Sequence, residues 1–370
     1  MKKILVFHPP LYPVNHRLFN KLCKLRVICF GNNPGLHTTW KAKEYLSDNN
    51  NYELEIIEGQ TNLDRLAVSY RKQFSLITVK KIITYKPDVV ISVAFWVPSL
   101  YASLTRMFLR HKLLIITDAI SKSEENISFI KKRLRRFIFR NSDKVLAGSK
   151  LTEEYLKSIT KNNFDKIVPS YQTIDVLDWI KTFSLLEDKS SLRIKYNIKS
   201  NNKVLISVGN FGRGKNFSSI VRQIPFIKKN ITLILIGGSG QSLELDNIII
   251  ENKLIDKVIL IPRLDKDKLK EYYKLADLFV FPSLLDTFGF VVCEALASGL
   301  PVLCSKYSGA STLIDNGING YVIDPVKPFY NEIENVLNNL DIMSLNSINS
   351  IKESTLEKKA INIINIIKSI

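Results

Sequence analysis

Residues 281–302 read Phe281-Pro-Ser-Leu-Leu-Asp-Thr-Phe-Gly-Phe-Val-Val-Cys-Glu-Ala-Leu-Ala-Ser-Gly-Leu-Pro-Val302. This stretch predicts the end of a strand at Phe281, a polar loop, a helix that begins near Phe290, and a Gly299-Leu-Pro301 turn into another strand. A strand, a crossover helix and a second strand in close succession are typical of a parallel sheet. The stretch therefore predicts an α/β fold.

The same alternation extends along the chain in both directions. Short β-branched apolar runs alternate with helical sequence, and continuous runs of this length are typical of strands buried on both faces. The predicted strands are 4–7, 26–30, 89–93, 113–116 and 144–147 in one series, and 204–208, 232–236, 258–261, 278–281 and 301–304 in another. These ten strands are too many for one small sheet.

We therefore predict two Rossmann-like, doubly wound parallel-sheet domains that face a cleft, since such sheets bind ligands at the carboxyl ends of their strands. The first domain spans 1–170, a linker 171–199 and the second domain 200–340. The remaining residues, 341–370, form a C-terminal tail, predicted as a polar loop at 338–350 and an amphipathic helix. That helix places Ile361, Ile364 and Ile367 on one face.

The composition excludes several classes of protein. The chain has 370 residues, of which 45% are hydrophobic and 24% are charged, as in ordinary globular domains. This hydrophobic share excludes a wholly disordered chain. The four cysteines, at positions 23, 29, 293 and 304, form no C-x-x-C pair, so the sequence predicts reduced thiols and no disulfide scaffold.

The charge balance is unusual. Fifty-three Lys and Arg residues against 35 Asp and Glu residues give a formal net charge of +18, which favours nucleic acid, an anionic membrane surface or an anionic substrate as a partner. The alternative is a compositional bias, because Ile and Asn are abundant alongside Lys. No run reaches the roughly 18 apolar residues that span a bilayer, and the first residues lack the apolar segment of a signal peptide. We therefore expect a cytoplasmic protein with at most peripheral membrane contact.

Two carboxylates flank the start of the predicted helix at residue 290. Asp286 lies in the loop, and Glu294 lies just over one turn into the helix. Backbone N–H groups at a helix start bind anions such as a diphosphate, and carboxylates at a cleft edge accept hydrogen bonds from sugar hydroxyls. The alternative is a helix cap at Asp286 and a solvated Glu294.

Two glycine-rich loops follow predicted strands of the second domain. The first, at 209–216, carries Arg213 and Lys215, two cations suited to neutralising a diphosphate leaving group; a basic surface turn is the alternative. The second, Gly237-Gly-Ser-Gly-Gln241, fails the G-x-G-x-x-G dinucleotide pattern. This loop is predicted to let a ligand approach the backbone closely at Gly238. The alternative is an ordinary strand-to-helix turn.

Together these motifs resemble the retaining GT-B glycosyltransferases of family 4. The resemblance is carried by D-x-F-G-x4-E-A-x-A-x-G-x-P-V at 286–302, by V-G-x5-K-N at 208–216 and by Asn316-Gly-Ile-Asn-Gly-Tyr-Val322. It covers most of 200–330 in order and spacing. It is looser in the first half, where Asn141-Ser-Asp-Lys-Val-Leu-Ala-Gly-Ser149 is similar to a strand of the family.

The resemblance implies a role for each matching residue. Glu294 would hold the nucleotide ribose, and Lys215 would hold the diphosphate. Asp286 would hold the donor sugar together with the backbone at Phe288 and Gly289. The full predicted donor-binding set is Gly209, Asn210, Lys215, Gly238, Asp286, Phe288, Gly289 and Glu294.

Three departures from the family pattern concern the donor sugar. Asp286 is one methylene shorter than the usual Glu, and Asn210 replaces a usual Arg that Arg213 could supply from three residues later. Residues 308–312 lack the usual Pro-Glu pair. No metal or other cofactor is expected, because lysine, arginine and a helix dipole can stabilise the leaving diphosphate.

The first domain offers polar groups for the acceptor. Asp118 follows a predicted strand where many relatives place a histidine facing the reaction centre, so it is predicted to activate the acceptor; capping the next helix is the alternative. His8, after the first strand, is a second candidate, with a structural role beside Pro9 as its alternative. His16 and Arg17 are predicted to contact an acceptor phosphate.

Residues 131–140 read Lys131-Lys-Arg-Leu-Arg-Arg-Phe-Ile-Phe-Arg140, with six cations and no acid. As a helix this segment would bury an apolar stripe and present a basic face, a pattern typical of helices that bind an anionic membrane surface. The alternative is a core stripe whose basic face is merely solvated.

The sequence thus predicts a retaining, metal-independent hexosyltransferase with Asp118, Lys215 and Arg213 in catalysis. It would transfer a sugar from a nucleotide-diphosphate donor to a glycan or lipid-linked acceptor, in surface polysaccharide, lipopolysaccharide or lipid-linked oligosaccharide synthesis. The alternatives are a nucleotide-sugar C2 epimerase of the same architecture and a non-catalytic basic binding protein. Nucleic acid is not expected as a partner, since no recognition motif or aromatic stacking platform is present.

Overall fold

The computed structural model describes residues 2–9, 13–22, 25–30, 51–57, 68–160, 162–238 and 243–370. The chain divides into two compact units. The first comprises the residues up to Gln172 together with those from Leu356 onward, and the second spans Thr173–Thr355. Each unit contains one parallel sheet with helices packed on it.

The first unit contains a seven-stranded parallel sheet among its described residues. Its strand order is β3-β2-β1-β4-β5-β6-β7. The strands are Ile4–His8 (β1), Leu25–Phe30 (β2), Glu53–Ile57 (β3), Val89–Val93 (β4), Lys112–Thr117 (β5), Lys144–Ala147 (β6) and Ile167–Pro169 (β7). The helices between them are Pro13–Lys21 (α1), Val68–Tyr85 (α2), Val97–Leu109 (α3), Phe129–Arg140 (α4) and Lys150–Ile159 (α5).

The second unit contains a six-stranded parallel sheet in the order β10-β9-β8-β11-β12-β13, counted over its described residues. The strands are Lys203–Val208 (β8), Ile231–Gly237 (β9), Val258–Pro262 (β10), Leu278–Phe281 (β11), Val302–Ser305 (β12) and Gly320–Ile323 (β13). The helices are Val176–Ser184 (α6), Lys189–Lys195 (α7), Phe217–Val221 (α8), Leu243–Glu251 (α9), Lys266–Leu275 (α10), Phe290–Ala297 (α11), Tyr330–Asn338 (α12) and Leu340–Ile351 (α13). The last helix of the chain, Leu356–Ser369 (α14), belongs to the first unit.

Burial on both faces explains the continuous apolar strands. Successive side chains of a strand point to opposite faces of the sheet, and both faces here carry helices. Leu233 of β9 therefore packs into one apolar core of the second unit and Ile234 into the other. The predicted α/β architecture of two parallel-sheet domains is confirmed.

Both sheets reverse their strand order near the middle. The reversal lies between β1 and β4 in the first sheet and between β8 and β11 in the second. Doubly wound sheets bind ligands in the crevice at the carboxyl ends of the strands beside such a reversal. The loops after β8 and β11 are therefore the first place to look for a site in the second unit.

The structure corrects the predicted C-terminal tail. Residues 340–351 form helix α13 rather than a polar loop, because Met343, Ser347 and Ile351 are buried on one face of that helix. The final helix exists, but it buries Ile363, Ile366 and Ile367 and leaves Ile361 exposed. Among the described residues, no helix combines the length and apolar content needed to cross a bilayer.

Candidate functional site

Three loops meet at the carboxyl edge of the second sheet, after β8, β11 and β12. The Leu284 N–H donates to the Gly214 carbonyl oxygen (2.8 Å), which ties the loop after β11 to the loop after β8. The Asp286 N–H donates to the Tyr307 carbonyl oxygen (3.1 Å), which ties it to the loop after β12. The loops that carry Lys215 and Asp286 are therefore held together beside the reversal of strand order.

Lys215 and Asp286 form the centre of this loop cluster. Lys215 Nζ lies 2.5 Å from Asp286 Oδ2 and 5.1 Å from the centre of the Phe281 ring. The second carboxylate oxygen of Asp286 accepts the Phe288 N–H (3.1 Å). Gly289, rather than Asp286, occupies the N-cap position of α11, so the alternative of a helix cap at Asp286 does not describe this carboxylate.

The backbone at Phe288 and Gly289 is fixed by the loop after β12. The Phe288 carbonyl oxygen accepts hydrogen bonds from Ser308 Oγ (2.6 Å) and from the Ala310 N–H (2.7 Å). Gly289 has a φ of +95°, and a Cβ atom at this position would lie 2.9 Å from Ser308 Oγ. Glycine is therefore needed here to start α11, whose first N–H groups have no partners within the helix. Those groups follow closely in sequence after Asp286, whose carboxylate pairs with Lys215.

Glu294 lies one turn into α11 and is partly buried. The Tyr273 hydroxyl donates to Glu294 Oε2 (3.2 Å). Burial raises the pKa of Glu294 to about 7, although the positive charges of Lys266 and Lys270 and the Tyr273 hydrogen bond act in the opposite direction. Glu294 therefore exchanges a proton near neutral pH and is not the solvated carboxylate of the alternative interpretation.

An aromatic and cationic wall surrounds Glu294. The amino groups of Lys266 and Lys270 lie 5.1 Å and 5.4 Å from the centre of the Trp179 ring. Lys270 is buried, and its Nζ donates to Thr182 Oγ1 (2.8 Å). Trp179 packs edge-on against Tyr273 with ring centres 5.8 Å apart. The carboxylate thus faces two fixed cations.

The structure places Arg213 apart from Lys215. Its side chain is 94% exposed, and its Nε lies 3.3 Å from Glu244 Oε2 at the start of α9. Lys215, in contrast, packs against Gly209, where an added Cβ atom would lie 3.2 Å from Lys215 Cγ. Arg213 and Lys215 are neighbours in sequence, but their side chains have different partners.

The exposed side chain of Asn210 lies beside Gly238 at the ends of β8 and β9. An added Cβ atom on Gly238 would lie 3.6 Å from Asn210 Oδ1 and 3.5 Å from the Arg263 side chain. Arg263 follows β10 and is a cation that the sequence analysis missed, although it stands two residues after a predicted strand. The rest of the second glycine-rich loop, residues 239–242, lies outside the described residues, as does Cys23.

The sequence also contains one D-x-D motif, Asp265-Lys-Asp267, at the start of α10. Asp265 caps this helix by accepting the Lys268 N–H (2.8 Å). Asp267 Oδ1 contacts the amino group of Lys270 (3.4 Å). In the part of the chain that the structure describes, no three His, Cys, Asp or Glu residues are grouped so that they could hold a metal ion.

Asp118 follows β5 in the first unit and is held by a glutamine. Gln172 Nε2 donates to both carboxylate oxygens of Asp118, at 2.8 Å and 2.9 Å. The side chain lies against Gly148, where a Cβ atom would come within 1.8 Å of Asp118 Oδ1. Ile120, rather than Asp118, precedes the short 3₁₀ helix at 121–124, so the capping alternative does not apply.

The two histidines predicted to serve the acceptor, His8 and His16, are buried. His8, the last residue of β1, has Nδ1 at 2.6 Å from the Pro9 carbonyl oxygen, and burial lowers its pKa to about 4. His16 of α1 hydrogen-bonds the Tyr52 hydroxyl through Nδ1, and burial lowers its pKa as well. Both rings are therefore neutral at pH 7. Arg17, the next residue of α1, is partly exposed.

The basic helix α4 has two distinct sides. Ile138 and Phe139 are buried, as the amphipathic pattern predicts. Arg135 is turned toward the protein, where it pairs with Glu124 and lies 5.8 Å from the centre of the Phe95 ring. The exposed side of the helix carries Lys131, Lys132, Arg133, Arg136 and Arg140, together with Phe129 and Ile130.

Comparisons with known proteins agree with this geometry. The family model of glycosyl transferases group 1 matches residues 188–353. An uncharacterized glycosyltransferase from Methanocaldococcus jannaschii is 29% identical over 50% of this chain and 48% of its own length. An N-acetylgalactosaminyltransferase of Campylobacter jejuni, named for a diphospho-undecaprenol-linked acceptor, is 27% identical over 61% of this chain and 60% of its own. The chain spans about half the length of the first of these relatives.

Solved structures share the whole fold. HepE of Anabaena in complex with UDP superposes with a TM-score of 0.78 over 100% of both chains, at 18% identity. Sucrose-phosphate synthase of Thermosynechococcus elongatus superposes with a TM-score of 0.77 over 100% of this chain and 99% of that one, at 16% identity. Residues 188–353 therefore resemble the glycosyl transferases of group 1, and the chain has the GT-B fold.

Proposed function

We propose that this protein is a retaining glycosyltransferase that moves a sugar from a nucleotide-diphosphate donor to a glycan or lipid-linked acceptor. The observation that carries the proposal is the Lys215–Asp286 pair, with 2.5 Å between Nζ and Oδ2, at the reversal of strand order and directly before the N-terminus of α11. A fixed ammonium and free helical N–H groups are suited to a diphosphate. The UDP-bound structure of HepE supports a nucleotide sugar as the donor.

The residues of the second unit divide the work on the donor. Lys215 holds the diphosphate and stabilises the negative charge that grows on it as the bond to the sugar C1 breaks. Glu294 accepts hydrogen bonds from the ribose hydroxyls in its ionised form. Asp286 and the backbone at Phe288 and Gly289 bind the hydroxyls of the donor sugar. Arg213 can join the diphosphate only by leaving Glu244.

The acceptor is assigned to the first unit. Asp118 accepts the proton of the acceptor hydroxyl as that oxygen forms the new bond to C1. The diphosphate leaves from the same face of the sugar with the electron pair of the broken bond, so the configuration at C1 is retained. Gln172 orients Asp118 through both carboxylate oxygens. His8, His16 and Arg17 lie near the end of β1, and only Arg17 among them carries a charge suited to an acceptor phosphate.

Metal-independent transfer is part of the proposal. Lys215 and the N-terminus of α11 supply positive charge at the diphosphate site, which is the role that a divalent cation has in other transferases. We expect a chelator to leave the turnover rate unchanged in a steady-state assay. Loss of turnover that returns on adding a divalent cation would contradict this part of the proposal.

A membrane-linked glycan pathway is the proposed setting. The C. jejuni relative is named for a lipid-linked acceptor, and the similar fold of a lipopolysaccharide outer core galactosyltransferase points the same way. The exposed cations of α4 fit peripheral contact with an anionic membrane surface. Surface polysaccharide, lipopolysaccharide and lipid-linked oligosaccharide synthesis are the proposed pathways, because such membrane contact suits all three.

A donor screen tests the proposal. UDP-, GDP- and ADP-sugars are added to the purified protein, and thermal stabilisation and sugar release are measured with and without glycan acceptors. Sugar transfer to an acceptor supports the proposal. An isomerised nucleotide sugar without transfer would identify an epimerase, stabilisation without turnover would identify a non-catalytic binder, and either result would refute it.

A further inference from the structure

A second cleft lies at the opposite edge of the first sheet from Asp118. It has a volume of about 270 Å³ and opens where α3 ends and β5 begins. Arg106, Met107 and Arg110 line it from the end of α3, and His111 and Lys112 line it from the start of β5. Asp118 follows the other end of β5, so this cleft is separate from the proposed acceptor site.

The cleft is basic. Arg106 is held by Asp143 (2.6 Å between Nη2 and Oδ1) and by the Asn141 carbonyl oxygen (2.6 Å). Lys112 Nζ lies 3.6 Å from the same carboxylate, so one acid serves two cations. Arg110 adds a third positive charge to the lining. An excess of positive charge in a cleft favours an anionic ligand.

The ring of His111 forms part of the cleft lining. The residue is 3% exposed, and its Nε2 lies 3.1 Å from the Ala102 carbonyl oxygen. Its Nδ1 is buried and has no hydrogen-bond partner among the described residues. An unpaired buried polar atom is costly. With Nε2–H donating to Ala102, the free Nδ1 accepts a hydrogen bond, and a ligand hydroxyl is a suitable donor.

The rim of the cleft is apolar. Three consecutive residues at the end of α3 are exposed: Met107 by 65%, Phe108 by 82% and Leu109 by 45%. Met107 lines the cleft itself, and Phe108 and Leu109 follow it in the last turn of α3, directly before Arg110. A small water-soluble anion makes no apolar contact with this rim, whereas the acyl chains of a lipid lie directly beside its phosphate and can pack against it.

We propose that this cleft binds the hydroxyl-bearing phosphate headgroup of an anionic phospholipid in a membrane surface. Arg110 and Lys112 bind the phosphate, a headgroup hydroxyl donates to His111 Nδ1, and Met107, Phe108 and Leu109 insert beside the acyl chains. The inference goes beyond the proposed function, because it holds whether or not the second unit transfers a sugar. It also differs from the attraction of α4 to the membrane, which rests on an exposed helix face and not on a cleft.

Vesicle binding of the full chain tests the proposal. Phosphatidylglycerol vesicles supply an anionic headgroup with hydroxyls, phosphatidylcholine vesicles are the zwitterionic comparison, and glycerol 3-phosphate is the soluble source of the same chemistry. Phe108→Ser removes the most exposed rim residue, and Arg110→Asn with Lys112→Gln removes two lining cations. Asn suits position 110 because Arg110 has a φ of +56°. Circular dichroism and melting temperature establish that each variant is folded.

The proposal predicts that wild type prefers phosphatidylglycerol vesicles and that Phe108→Ser and the double variant each lower the partition coefficient about tenfold. The matched controls are Leu185→Ser, at 79% exposure, and Lys150→Gln with Lys157→Gln, which removes the same charge from the exposed side of α5. These controls keep wild-type binding. Equal binding to both lipids, an unchanged Phe108→Ser variant, or glycerol 3-phosphate binding that matches vesicle binding would each overturn the proposal. Sugar transfer in the donor screen is unaffected by any of these outcomes.

Discussion

The raised pKa of Glu294 predicts how the stability of the protein varies with pH. In the unfolded chain this carboxyl ionises near its usual value of 4.5, whereas the folded protein keeps the proton until about pH 7. The folded state binds more protons than the unfolded state between these values, so the contribution of Glu294 to the free energy of unfolding falls as pH rises from 4.5 to 7. Above that range the contribution is constant. At about 1.4 kcal/mol per pH unit the whole interval corresponds to roughly 3 kcal/mol, and the partial exposure of Glu294 reduces this to about 2 kcal/mol.

Glu294→Gln isolates this effect, since glutamine is neutral at every pH and still accepts the Tyr273 hydrogen bond. We expect the variant to match the wild type near pH 4 and to be more stable by about 2 kcal/mol near pH 8. The assay is urea unfolding at a series of pH values. Glu251→Gln, an exposed residue of the same unit, is the control and should leave the pH profile parallel to that of the wild type.

The pH dependence of donor binding provides a second measurement of the ionisation of Glu294. Ribose hydroxyls donate to the ionised carboxylate, so wild-type affinity for a nucleotide sugar should rise about tenfold per pH unit up to about pH 7 and then level off. The variant should bind weakly and without this pH dependence, as measured by calorimetry. A nucleotide sugar is the right ligand because its diphosphate does not titrate in this range. Identical pH profiles of wild type and Glu294→Gln, in both unfolding and binding, would refute the reasoning.

Three further predictions concern other parts of the molecule. Lys215→Ala should lower kcat by about 10²–10³, because it removes one fixed donor at the diphosphate; an effect on KM alone would contradict this role. Gly289→Ala should lower the free energy of unfolding by about 1–2 kcal/mol in urea titrations, because alanine at a φ of +95° is strained and its Cβ meets Ser308 Oγ; an unchanged unfolding midpoint would contradict this. Replacing the exposed cations of α4 with glutamine should remove about 4 kcal/mol of attraction to anionic vesicles in co-sedimentation at low salt, and unchanged binding would show that this face is only solvated. The substituted residues are Lys131, Lys132, Arg133 and Arg136.

The strands that sequence analysis missed all lie at sheet edges, although one edge strand, β10, was predicted. Every predicted run became a strand, since a strand buried on both faces must be continuously apolar. The missed strands are β3, β7 and β13, and each is at the edge of its sheet. An edge strand needs less apolar sequence: β3 begins Glu53-Leu-Glu55, and β7 ends at Pro169. The apolar pattern therefore identifies the centre of a sheet better than its edges.

Helix α13 shows packing overriding local preference. Its sequence is rich in Asn and Ser, which favour caps and turns over helix interiors, and so it was predicted as a loop. The structure makes it helical because one face is buried and Ile348 packs against Gly299, where an added Cβ atom would lie 3.2 Å from Ile348 Cδ1. The partner of this face is distant in the sequence, so the local sequence carries no sign of it.

In the candidate site, too, some features could be predicted from the sequence and others could not. The meeting of Lys215 and Asp286 follows from topology alone, because loops after adjacent parallel strands must lie at one edge of the sheet. The surroundings of Glu294 do not follow from topology, since Trp179, Lys270 and Tyr273 come from two helices whose packing depends on the whole core. Sheet topology thus predicts where a functional side chain lies, whereas the protonation of a side chain such as Glu294 depends on packing between distant parts of the sequence. Arg213 makes the same point, because a position in the right loop does not decide whether its guanidinium meets a ligand or Glu244.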